Sequence, residues 1–160
     1  MREIKFRGKR LDNGKWATGD LSHGKKGKLY ICNITKVFKS YVEIDPDTIG
    51  QYTGTRDMTG REIYEGDILR RDWNYRTDPQ YDDEGATIGY GYERDGHVVA
   101  PVVFSPCAGF HTKGGYSVMR NPGDGEPSLL TCTINRLKPK KSTVIGNIYE
   151  NPELLKAPNA

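Results

Sequence analysis

The chain has 160 residues, enough for one domain or two small ones with a real core and no need of disulfide or metal staples. Its net charge of +3 neither demands nor excludes a polyanionic partner, and three cysteines, an odd number, argue against a secreted disulfide scaffold. The charged start MREIKFRGKR lacks the apolar stretch of a signal peptide, and no apolar run approaches the ~20 residues of a membrane span. The expectation is therefore a cytoplasmic chain with free thiols and no membrane contact.

Residues 3–11 alternate, with Ile4 and Phe6 on one face and Lys5 and Arg7 on the other, which predicts a strand. Asp12-Asn13-Gly14 tolerates positive φ, so residues 15–21 return as a hairpin with Trp16 turned inward. A lysine-bearing turn at 23–27 leads to strands predicted at 29–34 and 37–44, which form a second hairpin. Asp45 caps a single helical turn begun by Pro46 and ended by Gly50. Residues 51–53 are extended, and Asp57 and Gly60 bracket a turn with Gly60 at positive φ. The pieces 62–64 and 67–70 are hinged at Glu65-Gly66, the bend by which small barrels turn a corner.

The stretch DWNYRTDPQYDDEG, residues 72–85, is polar and aperiodic and predicts an irregular loop. Residues 86–92 alternate again, and Asp95-Gly96 reads as a turn. The most apolar run, HVVAPVVF at 97–104, reads as a buried strand with Pro101 at an edge or a bulge. Lys113-Gly114-Gly115 predicts a hairpin turn between 110–112 and 116–119. Residues 121–128 form a loop by composition, 129–137 alternate, and 139–142 break the pattern. A final strand follows at 143–149, and Asn151-Pro152-Glu153 opens a short helix carrying Leu154 and Leu155.

Catalytic chemistry finds little support. Cys107 and His111 lie four apart and, with Cys32 and Cys132, supply the residue types of a zinc site, but no knuckle spacing is present. The plainer reading is three unpaired thiols and a loop histidine. As a nucleophile and base the same pair lacks an orienting third group and an oxyanion hole. Gly89-Tyr90-Gly91 and Gly123-Asp124-Gly125 lack the lysine and the following helix of phosphate loops and read as bends. Asp78, Asp82, Asp83 and Glu84 do not follow the alternation of a calcium loop and read as a solvated acidic segment. No catalytic residue, metal ligand or cofactor-binding residue is assigned, and the expectation is a protein that is not an enzyme and needs no cofactor.

Cations interleaved with rings are the most informative group. Arg70, Arg71, Trp73, Tyr75 and Arg76 form one such segment, Arg136, Lys138, Lys140 and Lys141 a basic tail, and Lys25, Lys26 and Lys28 a third patch. Rings beside cations can stack single-stranded bases and neutralise phosphates. Against this, lysines commonly solvate hairpin tips, Trp73 can pack on its own domain, and the acidic segment after Arg76 weakens the field.

Three blocks carry a family resemblance: FRGKRLDNGKWATGDL at 6–21, IDPDTIGQYTGTRDMTGREIYEGDI at 44–68 and VIGNIYENPELL at 144–155. In this order they resemble the YopX family of phage and prophage proteins. The resemblance implies a small, mainly β protein of a bacterial host's cytoplasm, with phage or host proteins as partners and no assigned enzyme activity. Physically, the blocks read as folding determinants, with Gly, Pro, Asp and Asn at turns. Trp16, Ile44, Ile49, Tyr52, Ile63, Tyr64, Ile68, Ile145 and Ile148 are the core candidates. Function specific to this chain is then sought in the less familiar middle, residues 72–141.

The fold expected is mainly β, with antiparallel hairpins forming a small SH3-like or barrel-like β domain and little helix beyond a short C-terminal turn. An N-terminal β-hairpin subdomain spans 1–50. The barrel-like domain spans 51–160, carries an irregular loop at about 72–85, and is closed by its last strand near Glu65-Gly66-Asp67. The function expected is that of a phage accessory protein acting through protein interaction or strand-mediated self-assembly into a homo-oligomer. The alternative is a nucleic-acid-binding β-barrel using segment 70–76 and the tail 136–141.

Overall fold

The structure is a computed structural model that describes residues 3–34, 39–76, 79–90, 93–120, 128–131 and 134–157. It is mainly β and antiparallel as expected, and helix among the described residues is confined to short 3₁₀ turns. No helix among them is long and apolar enough to cross a membrane.

The first sheet contains β1 (Phe6–Lys9), β2 (Trp16–His23), β3 (Leu29–Ile34), β4 (Lys39–Ile44), β5 (Gly50–Arg56) and β6 (Glu62–Tyr64), in the order β4-β3-β2-β1-β5-β6. The first hairpin closes as its turn residues require. Arg10 N donates to Lys15 O at 2.9 Å, and Asn13 Oδ1 accepts from Lys15 N at 3.0 Å. Asp45 caps the 3₁₀ turn Pro46–Thr48 by accepting from Asp47 N at 3.1 Å. At the far edge β4 curls back onto the end of β1, where Asp45 N donates to Lys9 O and Leu11 N to Glu43 O. Ile31 and Ile44 are fully buried, each contributing roughly 1.5–3 kcal/mol by leaving water.

The second sheet is built on a long central strand. Its elements are β7 (Asp67–Arg76), β10 (Glu93–Ser105), β11 (Gly109–Lys113), β12 (Tyr116–Arg120), β13 (Ser128–Thr131), β14 (Ile134–Arg136) and β15 (Thr143–Asn147). A small hairpin of β8 (Pro79–Tyr81) and β9 (Thr87–Tyr90) branches from it. β7 pairs with β15 along one edge and with β10 along the other. β12 and then β11 follow one another along β10, with β13 on β12 and β14 on β11.

Four local expectations are corrected here. The irregular loop at 72–85 is largely strand: β7 runs on to Arg76 because residues 93–97 of β10 satisfy its backbone, and Pro79–Tyr81 pairs with Thr87–Tyr90 across a turn. Asp82 Oδ1 accepts from Glu84 N and Ala86 N in that turn, so the carboxylate is spent on local structure. Asp95-Gly96 is not a turn but lies inside β10, paired with β7 and β12 at once. Lys113-Gly114-Gly115 is not a hairpin tip either. Gly114 (φ +76) and Gly115 (φ +81) put a kink between β11 and β12, both of which pair with the same partner. Pro101 sits at that switch in β10, in register with Ile68 of β7 and between the residues that pair with β12 and those that pair with β11. Finally, Ile145 and Ile148 point to solvent, because the inward positions of β15 are taken by Val144 and Gly146.

The last strand does reach the segment after Glu65-Gly66, pairing Val144 with Leu69. The sheet stays open, since no pairing joins β14 to β15 among the described residues. β5 and β6 belong to the first sheet, and the chain crosses to the second at Glu65-Gly66. Gly66 adopts φ +81 there, and a Cβ would meet the Tyr149 ring at 2.9 Å. Ile63 of β6 then joins Leu69, Val102 and Val144 of the second sheet in one core cluster, with Phe110 and Leu137 against it.

Candidate functional site

The cation-and-ring segment expected at 70–76 is split by strand alternation. Leu69, Arg71 and Trp73 face one way, opposite Ala100, Val98 and Gly96 of β10, while Arg70, Asp72 and Asn74 face the other. Arg70 donates through Nε and Nη2 to Asp72 Oδ1 at 3.0 and 2.9 Å, so its charge is already matched. Trp73 is half-buried against Val98 and Ala100, with its ring over Gly96. It acts as a packing residue, which is where the plainer reading placed it. Tyr75 and Arg76 lie at the end of β7, paired with Arg94 and Glu93.

Arg71 has a different setting. With Arg136 and Lys138 it lines a dent of about 20 Å³ floored by Leu69, Val98 and Ala100. Its Nε is buried without a hydrogen-bond partner. Arg136 ends β14, and the chain then enters the 3₁₀ turn Pro139–Lys141. That turn is held by Lys141 N donating to Lys138 O and by Ser142 Oγ donating to Lys138 O, which leaves Lys140 and Lys141 exposed beside Lys138. None of Arg71, Arg136, Lys138, Lys140 and Lys141 is ion-paired with a described residue. The two basic segments thus meet through Arg71 rather than through the whole of 70–76. In the third patch, Lys28 is paired with Glu43 at 2.9 Å.

The thiols and the histidine do not gather. Cys32 is buried in β3, Cys107 is exposed at the β10–β11 turn, and Cys132 lies outside the described residues. His111 is buried with Nδ1 2.9 Å from Gly109 O, and no cluster of three metal-ligating side chains occurs among the described residues.

A second site was not anticipated. A cleft of about 380 Å³ opens between β1–β2, the β5–β6 turn and the end of β15. On its floor Arg7 is buried, with Nη1 2.6 Å from Asp67 Oδ1 and Nη2 donating to Glu65 O at 3.2 Å. The guanidinium carbon lies 4.7 Å from the Trp16 ring centre and 5.0 Å from that of Tyr64. Burial pushes the Asp67 carboxyl up, with Arg7 and the Tyr64 N–H opposing it.

The walls are hydrogen-bonded to one another. Glu62 accepts from Lys5 at 2.6 Å, Arg56 at 2.6 Å and the Tyr64 hydroxyl at 2.7 Å. Burial alone would raise the Glu62 carboxyl, but these donors hold it below the usual range. Burial, then the bond to Glu62, raise the Tyr64 hydroxyl. Glu150 is held low first by the Asn147 side chain and then by Trp16, and it also meets Lys9 at 3.1 Å. Asp57 fixes the turn that carries Gly60 and Arg61: Oδ1 accepts from Thr59 N, Thr59 Oγ1 and Arg61 N, and Oδ2 from Val144 N at 2.9 Å.

A family model described as YopX protein matches residues 5–156. The chain belongs to the YopX family. None of the curated proteins matches it. Among solved structures it is similar to the crystal structure of protein EF1440 from Enterococcus faecalis, at 20% identity and a TM-score of 0.40, with 98% of this chain and 100% of that chain covered. The three blocks that resemble YopX proteins all reach the cleft: Arg7, Trp16 and Thr18 from the first, Arg56, Arg61, Glu62 and Tyr64 from the second, Asn147 and Glu150 from the third. Sequence reasoning treated these blocks as folding determinants. The signal available was that each block carries a polar or aromatic residue beyond its turn and core needs; their convergence is a property of the topology.

Proposed function

We propose that this YopX-family chain is a non-enzymatic accessory protein of a phage or mobile element that binds the phosphate backbone of nucleic acid. The surface carrying this reading is the one where Arg71, Arg136 and Lys138 share a dent, with Lys140 and Lys141 alongside and no carboxylate paired to any of the five among the described residues. Unpaired cations grouped on one surface attract phosphates and release condensed counterions on binding. A dent of about 20 Å³ takes a group the size of one oxygen or water and not a base. With Trp73 packed on its own sheet, the reading is of phosphate contacts that position the polymer without reading its sequence.

The test is fluorescence anisotropy of a labelled single-stranded oligonucleotide at low salt, with the intact protein and with Arg71→Gln/Arg136→Gln/Lys138→Gln. Saturable binding by the former and at least ~10-fold weaker binding by the latter supports the reading. An intact protein that fails to bind at low salt overturns it. The function first expected from the sequence, action through protein contacts or self-assembly, has no comparable observation in its favour.

A further inference from the structure

The cleft between the three YopX blocks is a different kind of site, and it goes beyond the nucleic-acid reading. It lies away from the Arg71–Arg136–Lys138 dent and shares no residue with it.

The ion pairs of the cleft leave one cation over. Arg7, Arg56 and Arg61 line it, with Lys5 and Lys9 behind, and the nearby carboxylates are Glu62, Glu150 and Asp67, with Glu3 also on Lys5 and Asp57 holding the turn. Each carboxylate is taken: Glu62 by Lys5 and Arg56, Asp67 by Arg7, Glu150 by Lys9. Arg61 is the cation left over. Its side chain is exposed and makes no hydrogen bond or close ion pair with a described residue, acting only at longer range on Asp67, and its main-chain N–H is pinned to Asp57 Oδ1 at 2.9 Å. The cation therefore projects from a fixed turn. Across the cleft, the Thr18 hydroxyl has no hydrogen bond among the described residues. Trp16 and Tyr64 line the same space and add apolar wall.

An arginine fork recognises a carboxylate or a phosphate through two parallel N–H···O bonds. A volume of about 380 Å³ falls in the range of small-molecule sites, which pair apolar walls with a few fixed polar groups. We propose that this cleft binds a small ligand bearing an oxyanion, carboxylate or phosphate, on a flat apolar body, with Arg61 taking the oxyanion, Thr18 donating a further hydrogen bond and Trp16 and Tyr64 flanking the body. Arg56 and Arg7 are already committed to Glu62 and Asp67 and act as scaffold.

Trp16 provides the readout. The chain has two tryptophans, so Trp73→Phe leaves Trp16 as the only indole. Titrating that protein with phenyl phosphate, benzoate, inorganic phosphate and neutral benzyl alcohol separates the anion from the ring. The expected result is a saturable change in Trp16 fluorescence with phenyl phosphate or benzoate, the tighter of the two naming the oxyanion. The change is at least ~10-fold weaker with Arg61→Gln and unaltered by Arg71→Gln/Arg136→Gln. Arg61 is exposed, so its replacement leaves the fold intact. Equal responses to benzyl alcohol and the two ring-bearing anions, indifference to Arg61→Gln, or no response up to about 10 mM of either anion overturns the proposal. Loss of nucleic-acid binding with this titration intact would overturn the phosphate-backbone reading alone.

Discussion

Arg7 Nη1 stands 2.6 Å from Asp67 Oδ1, joining the first strand of the first sheet to the first strand of the second. Asp67 is fully buried and Arg7 nearly so, with the guanidinium flanked by Trp16 and Tyr64. Removing one partner of such a pair strands a charge in a dry site, which costs roughly 3–5 kcal/mol. Arg7→Ala and Asp67→Ala are each expected to lose about that much. Arg7→Met/Asp67→Leu is expected to lose clearly less than the sum, because no charge is then left unpaired. Urea unfolding of the four proteins as a double-mutant cycle measures the coupling; additive losses would contradict it.

Asp57 ties the β5–β6 turn to β15 across 87 residues of sequence through the bond from Val144 N to Oδ2. The same carboxylate takes three further donors from Thr59 and Arg61. Bonds to a charged acceptor are worth about 1.5–3 kcal/mol each where they replace water poorly. Asp57→Ala is expected to destabilise by at least ~3 kcal/mol and to raise hydrogen exchange at Val144 and Arg61 first. Exchange unchanged at both amides would show that the clamp does not hold the turn.

Acid should loosen the protein through three carboxylates. At Asp57 and Glu62 burial works upward, but hydrogen bonds prevail and both sit below the usual range; Glu150 is lowered first by the Asn147 side chain. A carboxyl whose folded value is depressed stabilises fully above its unfolded value, about 4, and loses that stabilisation as pH falls through the folded value beneath it. The urea midpoint is therefore expected to fall steeply below about 4, while the buried Asp67 carboxyl, raised above its usual range, works in the opposite direction as it takes up its proton above that range. In Asp57→Asn the fall below about 4 should be shallower. A midpoint that rises as pH falls below about 4 would contradict the assignment.

Trp73 distinguishes packing from stacking. Against Val98 and Ala100 the indole fills space, so Trp73→Ala is expected to cost about 2 kcal/mol, less than a fully buried tryptophan because the ring is half-exposed. Trp73→Phe should keep oligonucleotide affinity within about twofold, whereas removal of a stacking platform costs ~1–3 kcal/mol per base. A tenfold loss in Trp73→Phe would restore the ring to the binding surface.

Much of the fold was legible because local chemistry and tertiary context agree. Asn13-Gly14 and Asp45-Pro46 specify their turns within a few residues, and the strands expected at 29–34 and 62–64 form over those residues. Expectations failed where a partner strand overrode local composition. Residues 72–76 look aperiodic until β10 supplies the ladder, and Asp95-Gly96 looks like a turn until two neighbours hold it extended. Lys113-Gly114-Gly115 has hairpin composition, yet the kink it makes keeps β11 and β12 on the same partner. The site was half legible for the same reason: the basic residues could be named, but strand parity separates Arg71 from Arg70 and pairing with Asp72 removes Arg70 from the set. The convergence of Arg7, Arg61 and Asn147 on one cleft depends on contacts between blocks dozens of residues apart, which no local pattern encodes.

The phosphate-backbone reading is tested most directly by the salt dependence of single-stranded oligonucleotide binding. Each phosphate contact to a single strand contributes roughly −0.7 to the slope of log K against log salt. If Arg71, Arg136, Lys138, Lys140 and Lys141 each make one contact, the slope is about −3.5, and Arg71→Gln/Arg136→Gln/Lys138→Gln should shrink it by about 2. A slope near zero for the intact protein, or an unchanged slope in the triple variant, would contradict the account.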